Sequence, residues 1–206
     1  MTTCKCIRGT QTEKNLVVAY LTESAAYSRY MFYGKKAEKE GYYAIARLFV
    51  KTADNELRHA KVFFKYLRGG AITVTHEVNA GVIGTTLENL AAAAYEELVE
   101  GLQLYQEFAK VAKQEGFDDI ANHFFAIAEV EDRHRCRFLR YHEQVEQGTV
   151  WHRDHEITWK CLVCGYEHHG AEPPTNCPAC DHSRQHFKAK ECKKCDCDKA
   201  ECCRES

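Results

Sequence analysis

The sequence predicts an all-α four-helix bundle followed by a small cysteine-bearing module, and three observations predict it. All three prolines, Pro173, Pro174 and Pro178, lie beyond residue 172, so the residue that most strongly breaks helices is missing from the preceding chain. Gly41, Gly69, Gly116 and Gly148 each close a long stretch of helix-forming sequence, where a residue free to turn left-handed ends a helix. After Gly148 the pattern changes to short, aromatic-spaced sequence holding two Cys-x-x-Cys pairs.

The elements follow in order. Thr10 and Glu13 have capping-box spacing and open a first helix, and the glycines divide the rest, giving helices at about 12–40, 42–68, 85–115 and 117–147. Gly41 and Gly116 leave almost no room between neighbours, whereas Gly69 to Gly84 is long, and Ala71 to Val78 reads as an extended strap. Two antiparallel helix hairpins joined by one long crossover is the ferritin-like connectivity.

The chain also repeats itself. Along helix two, Ile45, Phe49, Thr52, Glu56, His59, Phe63 and Tyr66 recur at alternating spacings of four and three; Ile120, Phe124, Ile127, Glu131, His134, Phe138 and Tyr141 match them 75 positions later. Leu16, Ala19 and Glu23 match Leu90, Ala93 and Glu97 at an offset of 74. The two hairpins read as copies of one unit.

A length of 206 residues suits one ordinary domain plus a small one, with expected limits of 1–148 for the bundle, 149–189 for the cysteine module and 190–206 for a charged tail. With 28 basic against 30 acidic residues the net charge is -2, which gives no electrostatic footprint for nucleic acid or an anionic membrane. No window approaches the roughly 18 apolar residues of a membrane span, and nothing in Met1 to Thr10 directs export, so a cytoplasmic location is expected. Twelve cysteines in such a chain point to metal ligands or redox groups, not to a disulfide framework.

Residues at alternating three and four spacing share one helix face, and here that face is apolar above and below its charged members. Glu56, His59, Glu131 and His134 therefore point inward. A buried carboxylate without a partner is costly, no Lys or Arg occupies these seams, and a bound cation is the natural compensation. Glu23, Glu56-x-x-His59, Glu97 and Glu131-x-x-His134 make the di-metal carboxylate pattern of ferritin-like bundles. Any one Glu-x-x-His is more often a solvated stripe. Two copies at equal depth on apolar seams, each preceded by a glutamate on a partner helix, reverse that preference. Oxygen and imidazole ligands suit iron or manganese. Glu100 breaks the symmetry: its counterpart is Ala26, yet it lies one turn after Glu97 and adds a seventh ligand that could let one ion exchange partners with oxidation state.

Cys161-x-x-Cys164 and Cys177-x-x-Cys180, twelve residues apart, make a four-thiolate site. Spacing alone leaves iron and structural zinc level. Cys164-Gly165-Tyr166 and Cys177-Pro178-Ala179-Cys180 resemble the knuckles of rubredoxin and favour iron, with Trp159, Tyr166 and Phe187 expected to form a small aromatic core.

Taken together, residues 8 to 189 resemble a rubrerythrin. The likeness is carried by Thr22-Glu23-Ser24, Ser28-Arg29-Tyr30, Thr52-Ala53-Asp54 leading to Glu56 and His59-Ala60, the Glu97-x-x-Glu100 pair and the four cysteines. The resemblance implies a hydrogen peroxide reductase for oxidative-stress defence, with a non-haem di-iron centre and one iron on four cysteines. It also implies a homodimer in which the cysteine-bound iron of one subunit serves the di-iron site of the other. An upstream NAD(P)H-dependent reductase or a rubredoxin would donate electrons. It implies ligation by Glu23, Glu56, Glu97, Glu100, Glu131 and His134, with His59 replacing Glu97 on one iron upon reduction, and places Tyr30 and Tyr105 beside the carboxylates. The rival readings are a ferroxidase or iron-handling protein, and a non-catalytic electron-transfer or metal-sensing protein. Cys4, Cys6, Cys192, Cys195, Cys197, Cys202 and Cys203 have no assigned role, and the charged tail reads as disordered. Cys136 falls off the ligand seam, and His76, His123, His142, His168 and His169 lack ligand-type companions.

Overall fold

Helices without internal proline and with glycine at their ends form close to where the sequence places them. The structure, a computed structural model, describes residues 6–190. Helix α1 spans Gln11–Lys39, α2 Tyr43–Tyr66 and α5 Asp118–Glu146. The expected third helix is three segments: α3 (Thr86–Glu96), a π-helical stretch (Glu97–Gln103) and α4 (Leu104–Gln114). Between α2 and α3 the strap carries neither helix nor strand. It is tied down where Arg8 Nη2 donates to the Arg68 carbonyl (3.0 Å) and Arg29 Nη1 to the Asn79 carbonyl (3.1 Å).

The first N–H groups of a helix lack intrahelical acceptors, and a carboxylate there satisfies them while opposing the helix dipole. Thr10 Oγ1 accepts from the Glu13 N–H (3.1 Å), but the Glu13 carboxylate reaches back to the Gly9 N–H (2.8 Å), one residue short of a full box. The hairpins also cap each other. Glu115, at the end of α4, accepts from the N–H groups of Gln11 and Thr12 at 3.1 and 2.8 Å; Glu40, at the end of α1, accepts from the Thr86 N–H at 2.8 Å. Glu40 and Glu115 are themselves 75 positions apart, so the internal repeat extends to this reciprocal closure.

The apolar seams pack as two clusters. One gathers Leu16, Phe63, Tyr105, Ile120 and Phe124; the other gathers Tyr30, Ile45, Phe49, Leu90 and Phe138. Glu23, Glu56, Glu97, Glu131 and His134, all buried, belong to neither cluster.

The cysteine module is a three-stranded antiparallel sheet in the order β2-β1-β3, with β1 at Ile157–Cys161, β2 at Glu167–Gly170 and β3 at Phe187–Ala189. Trp159 and Phe187 are buried in its core with Cys161 and Cys177. Tyr166 departs from expectation: it is 36 % exposed. Its backbone is what the fold uses, the carbonyl accepting from the Cys161 N–H at 2.8 Å. The module docks on the bundle through His186 stacked on Tyr43 (centroids 3.9 Å apart) and Trp151 stacked on Tyr42 (5.6 Å).

The reciprocal caps can be tested by unfolding in urea. Glu115→Ala, which strips α1 of two backbone acceptors, is expected to cost about 1–2 kcal/mol, and a midpoint unchanged from the parent would show that the contact contributes nothing.

Candidate metal centres

Alternating spacing on four helices brings six ligand-type side chains to one level. Two quartets form, Glu23, Glu56, His59 and Glu131 in one and Glu56, Glu97, Glu131 and His134 in the other, each with ligand atoms within 4.8 Å of one another. Glu56 and Glu131 belong to both and so stand where bridging carboxylates belong. The geometry is close to twofold. His59 Nδ1 lies 2.8 Å from Glu131, 3.0 Å from Glu56 and 3.8 Å from Glu23; His134 Nδ1 lies 2.7 Å from Glu131, 3.0 Å from Glu56 and 3.6 Å from Glu97.

These residues fit a pair of cations. With metal–ligand bonds of about 2.1 Å, neighbouring ligands at right angles stand roughly 3 Å apart, which is the spacing found. Glu56 Oε1, both Glu131 oxygens and His134 Nδ1 are buried without hydrogen-bond geometry to any described group, so close polar atoms converge on a point without bonding each other. Electrostatics agrees. Burial, with the charges of Glu131 and Glu56, holds Glu23 well above the usual carboxylate range, and burial with Glu56 and Glu131 does the same to Glu97. Burial pushes His59 down, but Glu131 and Glu56 outweigh it and raise it to about 9. Burial pushes Glu131 up, but His134 and His59 outweigh it and hold it at about 2. Without metal the cluster is short of positive charge and borrows it as protons.

Two tyrosines cap the layer, as expected. Tyr30 Oη donates to Glu97 Oε1 at 2.8 Å and Tyr105 Oη to Glu23 Oε1 at 2.7 Å. Burial and the facing carboxylate keep both phenols protonated. A cavity of about 20 Å³ lies among Tyr30, Tyr105, Glu23, Glu97 and Gly101.

The π-helical stretch is the feature that the sequence reading missed. It begins at Glu97 and contains Gly101, where an added Cβ would stand 2.5 Å from Glu131 Cβ and Cγ. Only glycine lets this backbone approach a bridging carboxylate, and π-helical turns often sit at such sites. The signal was in the repeat: matched pairs are 74 apart up to Glu23 and Glu97 but 75 apart at Tyr30 and Tyr105, so one residue is inserted between them. Glu100 lies in this stretch, and its side chain is outside the described structure. His59 and Glu97 fall in different quartets.

Cys161, Cys164, Cys177 and Cys180 come together as a third group. Sulfur–sulfur distances are 3.7 Å for Cys161–Cys180 and 3.6 Å for Cys164–Cys177. Bonds of about 2.3 Å at tetrahedral angles require roughly 3.8 Å between sulfurs, so the four fit one ion. Burial pushes the Cys161 thiol up, but the N–H groups of Cys164 and Val163 aimed at its sulfur outweigh it and bring it to about 7. Among the other cysteines, Cys6 is exposed and Cys136 is outside all three groups, while Cys4 and the tail cysteines lie outside the described residues.

Comparison with known proteins places these features together elsewhere. The rubrerythrin family model matches residues 14–86 and 88–163, and the model of the rubrerythrin rubredoxin-like domain matches 159–188. A rubrerythrin of Porphyromonas gingivalis is 46 % identical over 89 % of this chain and 92 % of its own, and one of Nitratidesulfovibrio vulgaris is 40 % identical over 89 % and 96 %. The structure of fully reduced, all-ferrous nigerythrin superimposes with a TM-score of 0.59 at 27 % identity, covering 90 % of this chain and 92 % of that one. A Desulfovibrio desulfuricans bacterioferritin, at TM-score 0.56 and 20 % identity, shares the fold over 68 % of this chain and 87 % of its own.

Two outcomes test the centre. Gly101→Ala is expected to displace Glu131 and lower the affinity of the bundle for its ions about tenfold or more, read by metal titration; parental affinity would acquit the π-helical stretch. The metal-free protein should lose stability as pH rises from 6 to 9. Glu23 and Glu97, raised by burial, stabilise only while protonated, and His59 and His134, raised by their carboxylates, stabilise only while charged. His59 alone accounts for at most about 3 kcal/mol of this loss, and thermal melts of chelated protein that stay level across the window would contradict it.

Proposed function

The chain belongs to the rubrerythrin family, and from that premise we propose that it reduces hydrogen peroxide to water at the di-iron centre, drawing electrons through its rubredoxin-like site. The observation that carries this reading is the presence in one chain of a buried two-ion carboxylate centre and a separate four-thiolate site. A store of iron has no use for the second. A two-electron reaction refilled one electron at a time does, because a four-cysteine iron passes electrons singly and is tuned by the N–H groups around its sulfurs.

Peroxide takes up two electrons and two protons to become two waters. The paired ions, when bound, supply both electrons, each passing from ferrous to ferric. Glu23 and His59 would hold one ion, Glu97 and His134 the other, with Glu56 and Glu131 shared and Glu100 an added ligand. The chain's other groups manage protons. Tyr30 and Tyr105 donate their phenol protons to Glu97 and Glu23, which orients these two carboxylates and keeps a proton beside each.

We also propose that a homodimer is the working unit. His186 fixes the module against Tyr43, and thirteen residues of α2 separate Tyr43 from Glu56, about 20 Å of helix at 1.5 Å per residue. On this proposal the module of a neighbouring copy, not the chain's own, serves the centre. On this reading residues 1–148 are the oxidant-consuming unit and 149–189 the carrier. The setting is defence against oxidants in the cytoplasm, with an NAD(P)H-linked reductase or a rubredoxin upstream. No helix among the described residues is long and apolar enough to cross a membrane.

Stopped-flow mixing of fully reduced protein with peroxide, set against air-saturated buffer, tests the reaction. Oxidation of the reduced di-iron centre by peroxide much faster than by air, read as growth of ferric absorption, with two irons per bundle and no further iron taken up, is expected. Preferential reaction with air, or uptake of many irons per chain, would favour a ferroxidase instead. Mixing a Cys161→Ser chain with a Glu131→Ala chain tests the dimer: random pairing is expected to restore about a quarter of parental turnover, and no restoration would place the electron path within one chain.

A further inference from the structure

We propose that Asn55 is a positioning residue that pins His134, while Val130, at the matching place in the other hairpin, leaves His59 unpinned. The inference rests on reading the acidic layer as a two-ion centre.

The Asn55 amide nitrogen Nδ2 lies 3.0 Å from His134 Nε2, and an amide's N and O ends are interchangeable by a half-turn. His134 Nδ1 faces Glu131, Glu56 and Glu97, the direction of the ion. An imidazole bound to a cation through Nδ1 carries its proton on Nε2, so it donates, and the amide oxygen of Asn55 is the group that must accept. Amide orientation is assigned from such bonding, and Oδ1 toward the ring is the orientation that satisfies it. The ring is then held at both nitrogens, and turning it breaks one contact or the other.

The repeat shows what is missing opposite. Asn55 precedes Glu56 by one residue, and the residue one before Glu131, 75 positions on, is Val130. Valine has no acceptor. His59 accordingly uses Nδ1 toward Glu131, Glu56 and Glu23, and its Nε2 has no hydrogen-bond partner among the described residues. Its side chain is 13 % exposed, against 0 % for His134. Two imidazoles that match in every contact to the carboxylates thus differ in whether the far side of the ring is tied. Outer partners of this kind orient a ligand and raise its basicity.

Cobalt(II)-loaded whole protein gives the readout, because the ring N–H protons of metal-bound imidazoles are shifted clear of other NMR signals. In the parent, one ring proton should exchange with water at least tenfold more slowly than the other. Asn55→Val should abolish the slow one and weaken retention of one ion about tenfold. Asn55→Asp, which keeps an acceptor, should preserve it. Val130→Asn should slow the second. Equal exchange of both rings in the parent, or an Asn55→Asp protein that behaves like Asn55→Val, would overturn the proposal. Peroxide turnover is measured separately. A parent with one slow and one fast ring proton but no peroxide turnover keeps the pinning and removes the peroxidase reading, while equal exchange in an active protein does the reverse.

Discussion

A layer of four buried carboxylates and two imidazoles in the middle of an apolar bundle is the constraint on which the rest of this structure depends. Carboxylates taken out of water and set against one another are intolerable as bare charges. Glu23 and Glu97 show this by holding protons, and His59 and His134 by holding charge. Two divalent cations resolve the conflict, so binding of metal and completion of the core are one event. The layer also explains why the core is two clusters: Phe63 and Phe124 stack on one side at 4.8 Å and Phe49 and Phe138 on the other at 5.1 Å, closing the polar floor from both ends.

Much of this was legible from spacing. Seams stepping by fours and threes gave the inward faces because side-chain direction in a helix is set by residue number. Glu56, His59, Glu131 and His134 therefore met where expected, as did Tyr30 and Tyr105. What escaped depended on backbone geometry or on contacts between distant ends. The π-helical stretch was written as a change of offset from 74 to 75, yet helix-forming residues on both sides made a plain helix the simpler reading. Gly101 looked like a weak point in a helix, and its purpose appears only once Glu131 is seen 2.5 Å from where its Cβ would be. Glu40 and Glu115 carried no local motif at all, since each caps a helix more than forty residues away. Tyr166 was misjudged because an aromatic beside a cysteine knuckle can serve through its carbonyl alone.

The placing of His59 and Glu97 in different quartets follows from symmetry. A duplicated hairpin places each histidine opposite the first glutamate of a different helix, so His59 pairs with Glu23 and His134 with Glu97. The inserted stretch carrying Glu100 and Gly101 is where the two halves diverge in backbone, and it belongs to the second hairpin.

Broken symmetry of this kind is what a redox centre requires. An ideal pair of identical sites would bind two ions alike and hold both equally still, which suits storage. A di-iron centre that cycles holds ions of two oxidation states, which favour different ligand sets. Here the halves share bridging carboxylates and capping phenols, which preserve the common scaffold. They differ at Asn55 against Val130 and at the inserted residue. The duplication makes the centre, and the departures from it make its halves unequal.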